Sequence, residues 1–262
     1  MKKLSIFFPI PNSPKRKIVS GNKFHIFSFL LLIACICLCA TLLTIQIILP
    51  ASSKKILIKG NPNNHQSAKP VIIIDPGHGG RDPGKVGISE TLEKEINLRI
   101  ALYLKEILES QDIEVIMTRE EDKDLSKTST NFKTSDMKER VLLIQKSNAD
   151  LVISIHQNSY TDPAVYGAQC FYYSTSQESK ELASIIQNQI ITSTNQTKIR
   201  EIKSNNDYYL LKHSTLPTVI VECGFLSNLK EEQLLLTEEY QRKMAWAIHL
   251  GIFQYLNEAA PN

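Results

Sequence analysis

The first 74 residues contain no aspartate or glutamate, although ten of them are lysine or arginine. The rest of the chain carries 20 basic residues against 27 acidic ones, so a net charge of +3 conceals a basic leader joined to a mildly acidic domain. No basic field covers that domain, which excludes nucleic acid as its main partner. Glycine (10) and proline (11) are too sparse in 262 residues for a fibrous or collagen-like chain. Cysteine is also scarce. Cys35, Cys37 and Cys39 share one apolar run, so Cys170 and Cys223 leave at most one bridge for the folded part and exclude a disulfide scaffold. Internal repeats and low-complexity tracts are absent. Apolar residues at 42% suffice to bury a core, which excludes wholesale disorder.

Residues 24–49 form a nearly unbroken apolar run, interrupted only by His25, Ser28, Thr41, Thr44 and Gln46. As a helix it would reach about 39 Å, enough to cross a bilayer core with tilt. Residues 1–23, with Lys15, Arg16, Lys17 and Lys23 ahead of the run, read as a basic cytoplasmic leader. Lys54, Lys55 and Lys59 follow it, so charge alone does not orient the segment. The expectation is an uncleaved transmembrane signal-anchor; the alternative is a removed signal peptide, for which Leu32-Ile33-Ala34-Cys35 resembles a lipidation site. Either way the domain lies outside the cytoplasm. Residues 50–70, rich in Ser, Asn, Lys and Pro, read as a linker, and residues 71–258 as the folded catalytic domain.

Within the domain, short β-branched runs alternate with amphipathic stretches. Strands are expected near 71–75, 113–118, 150–155, 168–173 and 218–222, and helices at 91–110, 136–147, 177–194 and 238–256, with a short one near 208–213. Interleaving of this kind predicts a single α/β domain with a largely parallel twisted sheet, covered by helices on both faces. The polar stretch Glu120–Ser135 reads as a mobile loop. In such sheets, ligands collect at the carboxyl ends of strands. Three strand ends are rich in chemistry there: Asp75-Pro76-Gly77-His78-Gly79-Gly80, then His156-Gln157-Asn158, and Glu222-Cys223-Gly224.

Helix geometry supplies a further candidate. At about 100° per residue, with Glu93 at 0°, Asn97, Ile100, Leu104 and Ile107 all fall within about 40° of it, whereas Glu95 falls opposite. Glu93 thus shares the core-facing stripe; Glu90, at about 60°, is the substitute if the helix starts earlier. A buried carboxylate needs a counter-charge. Two histidines and one glutamate with an open fourth position are a catalytic zinc set: such an ion acidifies water and polarises a carbonyl, leaving a neighbouring carboxylate such as Glu222 to move protons.

These residues resemble the zinc-dependent N-acetylmuramoyl-L-alanine amidases of the Amidase_3 type. Ile74-Asp75-Pro76-Gly77-His78-Gly79-Gly80 is similar to that family's opening motif with its first histidine ligand. Glu93-Lys94 with Asn97-Leu98 resembles its metal-binding glutamate, Ser154-Ile155-His156 with Asn158 its second histidine, and Glu222 with Gly224-Phe225-Leu226-Ser227-Asn228 its catalytic glutamate. The resemblance spans about residues 71–256 and implies one zinc ion held by His78, Glu93 and His156, with Glu222 catalytic. The implied reaction is hydrolysis of the amide between the muramic acid lactyl group and L-alanine of peptidoglycan.

Gly167-Ala168-Gln169, Phe171-Tyr172-Tyr173 and Val221-Glu222-Cys223 are similar to a sporulation branch of the family, as is the plan of a membrane leader followed by a bare catalytic domain. That branch implies work in the space around the forespore, alongside a muramic acid deacetylase, in forming the muramic-δ-lactam of the spore cortex that germination requires. A protein partner that braces the three-ligand site is also expected. The rival readings are a daughter-cell-separation amidase, a zinc peptidase acting on the stem peptide, and a silent peptidoglycan-binding protein. Gln157, Ser159 and Cys223 depart from the family pattern, and Gln157 is expected to reshape the groove. Asp75, Arg119 and Arg140 read as structural, with substrate-carboxylate clamps the alternative for the two arginines; Cys170 and Cys223 read as core, His249 as a helix residue packed or solvated, and His213 as the end of a short helix, with groove lining the lesser alternative.

Overall fold

The structure, a computed structural model, describes residues 69–258. The leader, the apolar run 24–49 with its lipidation-like Cys35, and residues 50–68 of the linker lie outside the described residues. Among the described residues no helix is long and apolar enough to cross a membrane.

Six strands build one sheet: β1 (Val71–Pro76), β2 (Glu114–Met117), β3 (Leu151–Asn158), β4 (Gln169–Tyr172), β5 (Lys203–Ser204) and β6 (Thr218–Phe225). The helices are α1 (Glu93–Ser110), α2 (Phe132–Lys146), α3 (Gln177–Thr194), α4 (Tyr209–His213), α5 (Leu229–Leu235) and α6 (Glu238–Glu258). The spatial order is β2-β1-β3-β6-β4-β5. β2, β1, β3 and β6 run parallel, but β4 is antiparallel to β6, so the sheet is mixed. The reason lies in a connection. Parallel neighbours need a crossover of a dozen or more residues, usually helical. Only residues 159–168, without a helix, separate β3 from β4, and the chain folds back on the same side.

Strand alternation sorts the core into two layers. Ile72, Ile74, Ile153, Ile155, Val219, Val221 and Cys223 pack beneath α1, α3 and α6, alongside Ile100, Leu104, Ile186 and Ile248. Ile73 and Val152 face the other way, against Val141 and Ile144 of α2 and Leu210 of α4. Both faces are therefore covered, as expected. Cys170 and Cys223 are buried and unbridged, and Cys223 points away from the neighbouring Glu222.

The polar stretch after β2 is not a free loop. Its end forms the first turn of α2, which begins at Phe132, and the remainder is pinned to the motif after β1. Asp122 accepts from the Gly80 N–H (2.8 Å) and from Lys94 Nζ (2.7 Å), while Asp124 takes Arg81 Nη2 at 2.7 Å. Short acidic side chains meet the N–H groups that the glycine-rich turn leaves without strand partners.

Candidate metal centre

Register brings the three strand ends together. β1, β3 and β6 are parallel neighbours in that order, with Asp75 opposite Ser154 and His156 opposite Glu222. Asp75 anchors the rim. It accepts from Thr118 Oγ1 (2.7 Å), Ser154 Oγ (2.7 Å) and Arg140 Nη1 (2.5 Å). Burial by itself would raise its pKa, but Arg140 and the two hydroxyls outweigh that and hold it at about 2. Arg140 is buried too and donates onward to the Pro76 and His78 carbonyls at 3.0 and 2.6 Å. Arg119, also buried, donates to the carbonyls of Pro76, Gly77 and Lys94. Both guanidiniums thus fix the backbone that carries His78, in line with the structural reading of these residues.

On that frame, one possible ligand atom from each of His78, Glu93 and His156 lies within 4.8 Å of the others. Glu93 is the first residue of α1, where the helix dipole favours a carboxylate, and is 2% exposed. Its Oε2 lies 3.1 Å from His78 Nε2 and accepts from the Lys85 N–H at 2.8 Å. Its Oε1 lies 3.0 Å from His156 Nδ1 and accepts from the Gln157 N–H at 3.0 Å. Burial opposes ionisation of Glu93, yet the two imidazoles reverse that and drive its pKa far below the carboxylate range. The imidazole rings stand edge to face, with centroids 5.0 Å apart. Glu90, the substitute candidate, is exposed with a positive φ of 61° and stands outside the cluster.

Two glycines make room for this group. A Cβ on Gly77 would come within 2.2 Å of the His156 ring, and one on Gly84 within 2.5 Å of Glu93 Oε2. Sequence reasoning missed Asp82, whose Oδ2 lies 2.7 Å from His78 Nδ1 and whose Oδ1 pairs with Lys133 Nζ at 2.7 Å. The contact leaves Nε2 of His78 to face Glu93. Its only trace in the sequence was an acid four positions after a histidine in a glycine-rich turn. Gln157 has a second role besides lining the cavity. One position out of phase with His156 and Asn158, it turns its side chain beneath the sheet, where Nε2 donates to Asn97 Oδ1 at 3.1 Å. Asn97 in turn donates to the Gly77 carbonyl and to Glu93 Oε1, so Gln157 supports the glutamate as well as contributing to the lining of the cavity.

Glu222 lines the same cavity of about 610 Å³ as His78, Glu93 and His156. Its Oε2 is buried without a hydrogen-bond partner. Burial, reinforced by the Glu93 charge and opposed by the two histidines, pushes its pKa up to about 7. Two buried carboxylates and two imidazoles around one cavity, with one carboxylate oxygen unpartnered, fit a divalent cation. Elsewhere, His213 packs on Tyr209 with centroids 4.2 Å apart and does not line the cavity. His249 is buried beside Trp246 with neither ring nitrogen partnered.

Comparison with known proteins agrees with this geometry. The Amidase_3 family profile, N-acetylmuramoyl-L-alanine amidase, matches residues 72–254. The germination-specific N-acetylmuramoyl-L-alanine amidase of Bacillus subtilis is 39% identical over 214 residues, covering 77% of this chain and 90% of that protein. The CwlD amidase of Clostridioides difficile, solved in complex with the GerS lipoprotein, superposes with a TM-score of 0.70 at 45% identity, over 72% of this chain and 98% of CwlD. An N-acetylmuramoyl-L-alanine amidase of Clostridium difficile 630 gives 0.67 at 33% identity, over 74% of this chain and the whole (100%) of that one. The chain therefore belongs to the Amidase_3 family and is an N-acetylmuramoyl-L-alanine amidase.

Proposed function

We propose that this amidase is zinc-dependent, with His78, Glu93 and His156 as the metal ligands and Glu222 as the catalytic acid–base, and that it acts on spore-cortex peptidoglycan in forming the muramic-δ-lactam needed for germination. The observation that carries the chemistry is the convergence of three ligand atoms within 4.8 Å in the cavity that also buries Glu222. Zinc supplies a Lewis acid for the amide carbonyl and lowers the pKa of water. The protein's own groups do the rest. Asp82 and the N–H groups of Lys85 and Gln157 hold His78 and Glu93 in orientation. Glu222, with a pKa raised to about 7, is balanced to take a proton from the attacking water and return it to the leaving nitrogen of L-alanine.

The cortex role rests on likeness to the germination-specific Bacillus relative and to CwlD. It places the domain outside the cytoplasm, tethered by a transmembrane signal-anchor over 24–49 and a linker over 50–70, and working with a muramic acid deacetylase. CwlD was solved with a lipoprotein, and a partner of that kind bracing the site extends the same reading.

Glu222→Gln separates the roles. The variant is expected to keep its zinc, measured by metal analysis, while release of intact stem peptides from purified peptidoglycan falls at least 100-fold. Unchanged release would overturn the assignment of Glu222. Free amino acids among the products, identified by mass spectrometry, would make the protein a peptidase instead. Spores lacking the gene are expected to contain no muramic-δ-lactam.

A further inference from the structure

A second cleft of about 680 Å³ adjoins the first, and Asn158 and Tyr208 line both. Its walls are unlike the rest of the domain. Residues 75–262 carry seven more acidic than basic residues, yet this cleft is lined by Lys198, Arg200 and Lys203 and by no carboxylate. Among the described residues none of the three cations takes part in an ion pair. Arg200 is held in place, with Nε donating to the Tyr166 carbonyl at 2.7 Å and its guanidinium 4.9 Å above the Phe225 ring. The Glu231 carboxylate behind it is already engaged by the N–H groups of Gly167 and Phe225. Tyr160 and Tyr166 line the same cleft and remain 59% and 40% exposed.

Register gives the cleft a distance from the reacting centre. Gln169 of β4 lies opposite Glu222, and Phe171 lies opposite both Ile220 and Lys203. With strands about 4.8 Å apart and about 3.3 Å per residue, Lys203 stands two strands across and two residues along from Glu222, roughly 12 Å in all. An extended peptide covers that distance in about three to four residues, and the reach of a lysine side chain shortens it.

We infer that this basic cleft binds the peptide half of the substrate, its cations receiving carboxylates borne two or three residues beyond the scissile amide. The inference rests on the proposed amidase chemistry for the direction in which the peptide leaves the site. Three cations that form no ion pair among the described residues, one of them held in place, can receive an anion from outside, and the flanking tyrosines offer flat faces to a peptide backbone.

Calorimetry with the full chain tests the inference. The probes are a synthetic stem tripeptide, L-alanine followed by D-glutamate and a diamino acid with free carboxylates, and the same peptide with those carboxylates converted to carboxamides. The free-carboxylate form is expected to bind at least tenfold more tightly. That preference should vanish in the double variant Lys198→Gln, Lys203→Gln, return in Lys198→Arg, Lys203→Arg, and shrink as salt is raised. Both lysines are exposed, so the fold should tolerate the changes, and equal melting temperatures check this. Equal affinity of the native chain for the two peptides would overturn the inference. So would a preference that survives the glutamine variant, or binding of a peptide-free muramyl disaccharide lost in that variant. Peptide release from peptidoglycan by the native chain tests the amidase chemistry separately, so a chain that hydrolyses but binds both peptides alike overturns the cleft alone.

Discussion

At the scale of single residues, the site depends as much on what is absent from Gly77 as on what its neighbours carry. The His156 ring occupies the space where a Cβ of residue 77 would stand, 2.2 Å away. In Gly77→Ala either the imidazole or the motif backbone must move, and Arg119 and Asn97 both grip that backbone at the Gly77 carbonyl. Affinity for the proposed zinc ion is therefore expected to fall about 10–100-fold with the domain still folded, as a metal titration followed by circular dichroism would show. Only close approach explains this glycine, since its φ is not in the left-handed region. Gln157 gives the converse lesson. It sits in the second histidine segment, yet the two-residue period of β3 sends it to the opposite face.

Among the elements, α5 was not anticipated from the sequence. Its seven residues, Leu229–Leu235, are too few for a periodic pattern to register, and the signal that did exist was Asn228 ahead of them. Asn228 Oδ1 accepts from the N–H groups of Lys230 and Glu231, both at 3.1 Å, while its Nδ2 donates to the Pro163 carbonyl at 2.8 Å. One side chain therefore caps a helix and fastens the β3–β4 connection. Asn228→Ala is expected to cost about 1–2 kcal/mol in chemical denaturation and to speed amide exchange in the segment 163–167. The strand β5, only two residues long, left no pattern to read. The reversed direction of β4 was available in principle from the missing helix between β3 and β4, since a parallel partner could not have been reached.

For the molecule as a whole, stability against acid is tied to the frame that carries the site. Asp75 has a folded pKa of about 2, below its ordinary value of 3.8. A depressed carboxylate contributes its stability above the ordinary value and loses it as the pH falls toward the folded one. The stability difference between the native chain and Asp75→Asn should therefore shrink by about 2 kcal/mol between about pH 5 and pH 2. Urea denaturation across that range measures it. An unchanged difference would mean that Arg140 and the two hydroxyls do not hold the Asp75 carboxyl below its ordinary range.

What the sequence determined by itself was local or periodic. The positions of β1, β3 and β6, the core stripe of α1 that includes Glu93, and the identity of the residues at three strand ends all follow from side-chain spacing, which needs no knowledge of distant contacts. What only the tertiary structure decided was pairwise and long-range. The contact of Asp82 with His78, the placement of the His156 ring against Gly77, and the partner of each buried arginine depend on backbones meeting from remote parts of the chain. The basic cleft beside the candidate metal centre belongs to the same class, because Lys203 reaches it through the pairing of β5 with β4 and Arg200 through its bond to the Tyr166 carbonyl. Period and composition are properties of neighbours in sequence; a cavity is a property of neighbours in space.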